Sequence, residues 1–312
     1  MFARILGAVG KLLIIAGVLV LGFVAFQLWG TGLEESRGQS DLTEDLASDL
    51  GTTDAATVDL SDLDRQLSEV DSATAPPTED PPEGEPVGII TIDKIELQRV
   101  IIEGVSKTDL KKGPGHYPGT PLPGQAGNSA IAGHRTTYGA PFNRIDELAP
   151  GDEINVTTPQ GKFVYVVMPA PGQTEQAWYL VDPSQVEVLS DVGDNRLTLT
   201  ACHPKYSAKQ RIIVHATLKT TPAVANVVAA TPDTEVADAE RVQSQFDEGL
   251  RGEPSALRTA LFFGLGAAAV ALLAWFLGKH TRRWPVYLLA TPAVLVLVWF
   301  GYVYLDRYLP TL

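Results

Sequence analysis

Three stretches of this chain are too apolar, for too long, to lie exposed in water, and they decide what the rest of it can be. They cover residues 12–28, 259–278 and 285–304. Each has roughly the 17–25 residues that a helix rising about 1.5 Å per residue needs to cross a hydrocarbon layer. What remains for a folded domain in 312 residues is 87–219, enough to bury a core without disulfides or metal. The expected organisation is therefore 1–30, a cytoplasmic start and membrane anchor; 31–86, an acidic extracellular stalk and linker; 87–219, the domain; 220–256, a second linker; and 257–312, two membrane helices around a short cytoplasmic loop.

Charge orients these spans. Lys279, Arg282 and Arg283 crowd the short loop between the last two, and Arg4 and Lys11 flank the first. By the positive-inside rule both places are cytoplasmic, so residues of about 31–256 and the C-terminus lie outside. Gly30-Thr31-Gly32 after the first run makes no clean signal-peptidase site, which favours an uncleaved anchor. Trp275, Trp284, Trp299, Tyr302 and Tyr304 stand towards span ends, where interfacial aromatics belong. A buried hairpin of a soluble domain would need a charged face, and 259–304 has none.

The net charge of −13 sits almost wholly in 34–85, where sixteen Asp and Glu face only Arg37 and Arg65. No basic footprint remains for nucleic acid. Leu42, Leu46 and Leu50, then Leu60, Leu63, Leu67 and Val70, are spaced for one or two amphipathic helices. They fit either a solvated stalk or a cover packed on the domain; the acidity favours the stalk. Residues 73–86, rich in Pro and Glu, read as an extended linker, and 238–250 as a short helix.

From Val87 the texture becomes that of strands. Candidates are 88–92, 100–102, 129–132, 152–158, 163–168, 186–189, 197–200 and 211–218, with turn signals at Pro159-Gln160-Gly161, Pro171-Gly172 and Gly193-Asp194-Asn195. The near-continuous apolar run 163–167 suggests a strand covered on both faces. Many short strands at such intervals argue an all-β barrel or sandwich. Nucleotide-binding glycine patterns are absent.

The chain has a single cysteine, Cys202, so an internal disulfide is excluded. It ends the strand pattern 196–201 and is followed by His203-Pro204, where pairing must stop. Arg211 opens the next strand nine residues on. Two antiparallel neighbours joined by 205–210 would bring Cys202 and Arg211 together at one sheet end. Far upstream, Ala130-Ile131-Ala132-Gly133 empties into His134-Arg135, again at a strand end, where catalytic groups tend to sit. His116, His134, Cys202 and His203 fit no usual zinc spacing.

Together, Ala132-Gly133-His134-Arg135, Thr198-Leu199-Thr200-Ala201-Cys202 and the Arg nine positions later resemble the sortase signature, in order and spacing, over about 87–219. Gly113-Pro114-Gly115-His116-Tyr117-Pro118-Gly119-Thr120 is similar to the loop leading into a sortase site. The Cys-His-Pro run and Thr136-Thr137-Tyr138-Gly139-Ala140-Pro141-Phe142 look most like class E sortases of high-GC Gram-positive bacteria. The resemblance implies a sortase-like closed β-barrel with short helices, flanked by one N-terminal and two C-terminal transmembrane helices. It implies a membrane-bound cysteine transpeptidase on the extracellular face, without cofactor or metal. Its partners would be secreted proteins with a C-terminal LAxTG- or LPxTG-like sorting signal, cut between Thr and Gly, and a peptidoglycan-precursor amine. Cys202 would be nucleophile, His134 acid/base and Arg211 electrostatic stabiliser, with Tyr138, Ala201, Thr200 and His203 as substrate-binding candidates. Tyr138 would either line the peptide groove or simply pack; His116 and His203 read as structural or groove-lining. Sortases usually carry Thr before the Cys, so Ala201 puts one substrate or oxyanion contact in doubt. No Asp-Pro-aromatic lid of the pilin-polymerising class precedes Val87.

Overall fold

The computed structural model describes residues 2–51, 59–224, 253–280 and 283–309. Helices α1 (Phe2–Ala25), α2 (Thr31–Asp49) and α3 (Leu60–Ser68) come first. Strands β1 (Pro86–Ile92) and β2 (Leu97–Glu103), the single turn α4 (Lys107–Leu110), and strands β3 (Gly115–His116) and β4 (Asn128–Ala132) follow. Then come β5 (Glu153–Thr158), β6 (Gly161–Val167), β7 (Trp178–Val181), β8 (Arg196–His203) and β9 (Gln210–Leu218), and finally α5 (Ala256–His280) and α6 (Arg283–Tyr308). The described residues divide into two compact units, one drawn from 2–27 with 253–309 and the other from 28–224.

In the first unit, three helices are long and apolar enough to cross a membrane. Their polar groups find partners within the unit: Tyr302 Oη donates to the Leu19 carbonyl at 2.7 Å, and Gln27 Nε2 to Asp306 Oδ1 at 2.9 Å. Such pairing is what an apolar medium demands of buried polar atoms. Phe26 meets Trp299 edge to face at 5.0 Å.

In the second unit the strands close into a ring in the order β6-β5-β1-β2-β3-β4-β8-β9, with β9 returning to β6 and β7 added outside β9. This is the closed barrel that the family resemblance implied, one of the two architectures the strand pattern left open, and closure leaves the eight ring strands without free edges. Most neighbours are antiparallel; β2–β3 and β4–β8 are parallel. One set of alternating residues, including Ile90, Ile92, Ile131, Phe163, Tyr165, Leu197, Leu199, Ala201, Ile212 and Val214, fills the interior.

The outer faces are covered unequally, and here the sequence expectation needs correcting. Helices α2 and α3 do not remain a solvated stalk. Leu42, Leu46 and Ala47 of α2 and Leu63 and Leu67 of α3 are buried against Ile89, Val100 and Ile102 of β1 and β2. The apolar stripe outweighs the acidity because Glu34, Asp41, Glu44, Asp45, Asp49 and Asp62 stay exposed on the other faces, and the one buried acid, Glu35, is paired with Arg99. The strands covered on both faces are thus β1 and β2, whereas β6, expected in that role, leaves Val164 and Val166 half-exposed. Residues 186–189 form a 3-10 turn rather than a strand. Both edges of β4 are already taken, by β3 and β8, so this segment packs by side chain, Leu189 lying with Ala130 and Ala132. Asn128 Nδ2 fastens it through the carbonyls of Val188 and Ser190, at 3.1 and 3.0 Å. The helix expected at 238–250 lies outside the described residues.

Candidate active site

The parallel pair β4–β8 and the antiparallel pair β8–β9 bring three chain segments to one rim of the barrel. On β8, alternation sends Leu197, Leu199 and Ala201 inward and Thr198, Thr200 and Cys202 outward. The β8–β9 register sets Cys202 directly opposite Arg211, where side chains on one face must meet. Arg211 Nη1 lies 3.4 Å from Cys202 Sγ. The same nitrogen reaches the carbonyls of Ala208 and Gln210, at 3.4 and 3.3 Å, which aim the guanidinium back at the sulfur.

His134 arrives from the other side. Ala132 is paired with Thr200, and the Gly133 N–H continues the ladder by donating to the Thr200 carbonyl at 3.0 Å. Two residues past that pair on each parallel strand stand His134 and Cys202. A side chain at Gly133 would collide with the Phe142 ring, 2.5 Å from its Cβ. Phe142 in turn donates its N–H to the His134 carbonyl at 3.0 Å, closing the loop 134–142. The His134 side chain is buried, with the Tyr138 ring 5.2 Å away, centre to centre, and tilted by 35°.

The four substrate-binding candidates fare differently. Ala201 points into the barrel core, on the face opposite Cys202, so its methyl offers a substrate nothing. A threonine hydroxyl there would be directed into apolar packing unless it found a partner. Thr200 is outward but buried, its hydroxyl sharing a 3.0 Å hydrogen bond with Tyr117 Oη. Tyr138 is 1% exposed, capped by the Lys111 ammonium 4.9 Å above its ring, and so packs instead of lining an open groove. His203 is half-buried and accepts from Arg135 Nη1 at 2.9 Å. Burial, and then the Arg135 charge, hold its imidazole below the ordinary histidine range.

Tyr117, Arg135 and Asp146 are residues that sequence reasoning did not single out. Burial pushes the Tyr117 phenol up to about 12, with the Thr200 bond and Arg211 opposing and Cys202 reinforcing. It therefore keeps its proton beside Cys202. Its signal was its place in Gly115-His116-Tyr117-Pro118, one residue after β3. The neighbouring His116 is wholly internal, bonded to Glu103 Oε2 at 2.7 Å and to the Pro121 carbonyl at 3.0 Å. Arg135 follows the catalytic histidine candidate, is 2% exposed, and bridges Asp146 at 2.8 Å and His203. Thus the residue after His134 is tied to the residue after Cys202. Trp178 completes this corner, stacking on His203 at 6.3 Å and donating to the Asp146 carbonyl at 3.0 Å.

The sequence of the barrel has known relatives. Residues 90–219 match the family model described as Sortase domain. Sortase SrtE1 of Streptomyces coelicolor is 32% identical over 66% of this chain and 55% of its own length. Sortase D of Bacillus subtilis is 32% identical over 40% of this chain and 58% of its own. The chain thus spans a little over half the length of these curated relatives. Among solved structures, sortase E from Streptomyces avermitilis is 35% identical, covering 49% of this chain and 98% of that one, with a TM-score of 0.38. The family match over the barrel, with relatives that include the class E group, shows that residues 90–219 are a sortase domain.

Proposed function

We propose that the chain is a membrane-anchored cysteine transpeptidase in which Cys202, His134 and Arg211 perform the reaction. The observation that supports it most is the opposed Cys202–Arg211 pair, 3.4 Å apart, with His134 two residues beyond the end of the parallel neighbouring strand. A fixed guanidinium beside a thiol favours the thiolate, which is the attacking species. The Cys202 thiolate adds to the Thr carbonyl of an LAxTG- or LPxTG-like sorting signal. Arg211 faces the charge that develops on the carbonyl oxygen. As the C–N bond to Gly breaks, His134 gives the leaving amine its proton, and a thioester to Cys202 remains. An acceptor amine, in this reading from a peptidoglycan precursor, loses its proton to His134, attacks the thioester and releases the thiolate.

The full chain in detergent, incubated with quenched LAxTG and LPxTG peptides with and without a free amine, tests this. Cleavage that disappears in Cys202→Ala, and a ligated product when amine is added, is the expected result. No thioester adduct on Cys202 with either peptide would overturn it. For placement, the reading is a cytoplasmic N-terminus, a cytoplasmic loop around Arg282 and Arg283, and a barrel outside. A reporter fused after Leu312 that works only in the cytoplasm would contradict that topology.

A further inference from the structure

The loop carrying His134 contains backbone that cannot hold itself. Tyr138, Gly139 and Ala140 have φ of +49°, +68° and +45°, three successive residues in the left-handed region. Two of them carry side chains that disfavour this conformation, so the arch persists only if its surroundings impose it. Part of what imposes it comes from a helix more than a hundred residues upstream.

We propose that the first turn of α2 is a positioning element of the catalytic site: Thr31 and Glu35 clamp the 138–140 arch, and the arch holds Tyr138 against His134. This rests on the reading of His134 as the acid/base. Thr31 is 1% exposed, and its Oγ1 accepts the Tyr138 N–H at 3.2 Å. Glu35 lies so close to Gly139 that a Cβ there would be 2.5 Å from its carboxylate. The carboxylate is itself held by Arg99 Nε of β2 at 2.6 Å. These contacts are not a loose approach of one helix to a loop. Gln39, one turn on, works like an added strand residue on β2: its Oε1 accepts from the Val100 N–H at 2.8 Å, and its Nε2 donates to the carbonyls of Val100 and Lys112 at 3.0 and 2.9 Å. Gly38 leaves no room for a Cβ, which would lie 2.8 Å from the Lys112 side chain, and Gly113 likewise makes way for the Gln39 amide. Helix α2 is therefore seated in one register, and Thr31 and Glu35 reach the arch from a rigid element. A positioning role of this kind is felt in turnover, because small displacements of an acid/base group are costly.

Thr31→Val keeps the shape and removes the acceptor; Thr31→Ser keeps the acceptor. In the full chain, labelled with ¹⁵N at its five histidines, Thr31→Val is expected to lower kcat for peptide cleavage about tenfold with KM within about twofold. The His134 ring resonances should move while those of His116, His203 and His215 stay, and Thr31→Ser should restore both. Unchanged kcat with unmoved His134 resonances overturns the proposal. So does a loss that Thr31→Ser does not restore, or one in which all the barrel histidines shift together, as general loosening would cause. His134→Gln keeps the two readings separable. If it turns over like the parent chain, the acid/base assignment falls, while a displaced His134 ring in Thr31→Val still supports the clamp.

Discussion

The two halves of the candidate site are held by different physics. Cys202 and Arg211 belong to a continuous backbone ladder, whose pairing from Arg196↔Thr217 to His203↔Gln210 fixes their opposition before any side chain is considered. His134 stands beyond the last residue of its strand, on a loop with left-handed backbone that depends on Thr31, Glu35 and Phe142 for its shape. One half is specified locally by a hairpin, the other by contacts between segments far apart in sequence. Damage to side chains should therefore separate function from stability in the first half and join them in the second.

The largest separation is expected at Arg211. Arg211→Ala should cost about 10²–10³-fold in kcat, the range for losing a charge-stabilising donor, while the ladder keeps the melting temperature within a few degrees. A melting temperature that falls sharply would show that the hairpin half is not self-sufficient. Gly139→Ala should couple the two properties. A Cβ at φ +68°, thrust at the Glu35 carboxylate, should reduce kcat about 10–100-fold and stability by about 1–3 kcal/mol. Activity and melting temperature measured on one preparation decide whether they fall together.

Acid sharpens the contrast through His215, on the ladder side. Burial, followed by the Arg196 charge, lowers its pKa to about 4. Thr198 Oγ1 donates to Asn128 Oδ1 at 2.7 Å and so is left to accept from His215 Nδ1 at 2.9 Å; in the neutral ring Nε2 then accepts from Tyr179 Oη, 2.8 Å away. A folded pKa below the unfolded value of about 6.5 stabilises the fold above pH 6.5, and that stabilisation is lost as pH falls towards 4. The loss amounts to at most about 3 kcal/mol. In His215→Gln the slope of unfolding free energy over this range should flatten; an unchanged slope would assign the acid sensitivity elsewhere. The smallest effect is expected at Lys205, whose ammonium donates to Asn143 Oδ1 at 3.1 Å in an exposed setting between the two halves. Lys205→Ala should change stability by less than about 0.5 kcal/mol and leave kcat within twofold.

The ladder half was legible in the sequence because its information is local. A strand pattern ending at Cys202, a proline two residues later and a second strand opening at Arg211 suffice to place the pair. The other half was legible only as a motif. Nothing local says that Tyr138 and Ala140 take positive φ, or that Thr31 supplies an acceptor. The α2 and α3 leucines were visible at helical spacing, but sixteen surrounding acids outweighed them in the reading. What decided the matter is that β1 and β2 are apolar on both faces and need an outer cover, a fact about the partner surface. The outward direction of Cys202 and the inward one of Ala201 follow from alternation once the barrel interior is known, and could not be assigned earlier. Residues 186–189 misled for a similar reason, since a strand needs a free neighbour and β4 has none.

The parallel pairing of β4 with β8 has a consequence for how such a protein can diversify. Because both strands run the same way, the loops after His134 and after Cys202 leave from one rim, and β9 begins there as well. The opposite rim carries the ends of these strands at Asn128, Arg196 and Thr217, with Asp194 gripping Arg196. Variation in the mostly exposed segment 204–209 can thus alter what this rim presents without touching the ladders that build the barrel. On the proposed function, libraries aimed at new sorting signals belong on the first rim, and affinity tags on the second.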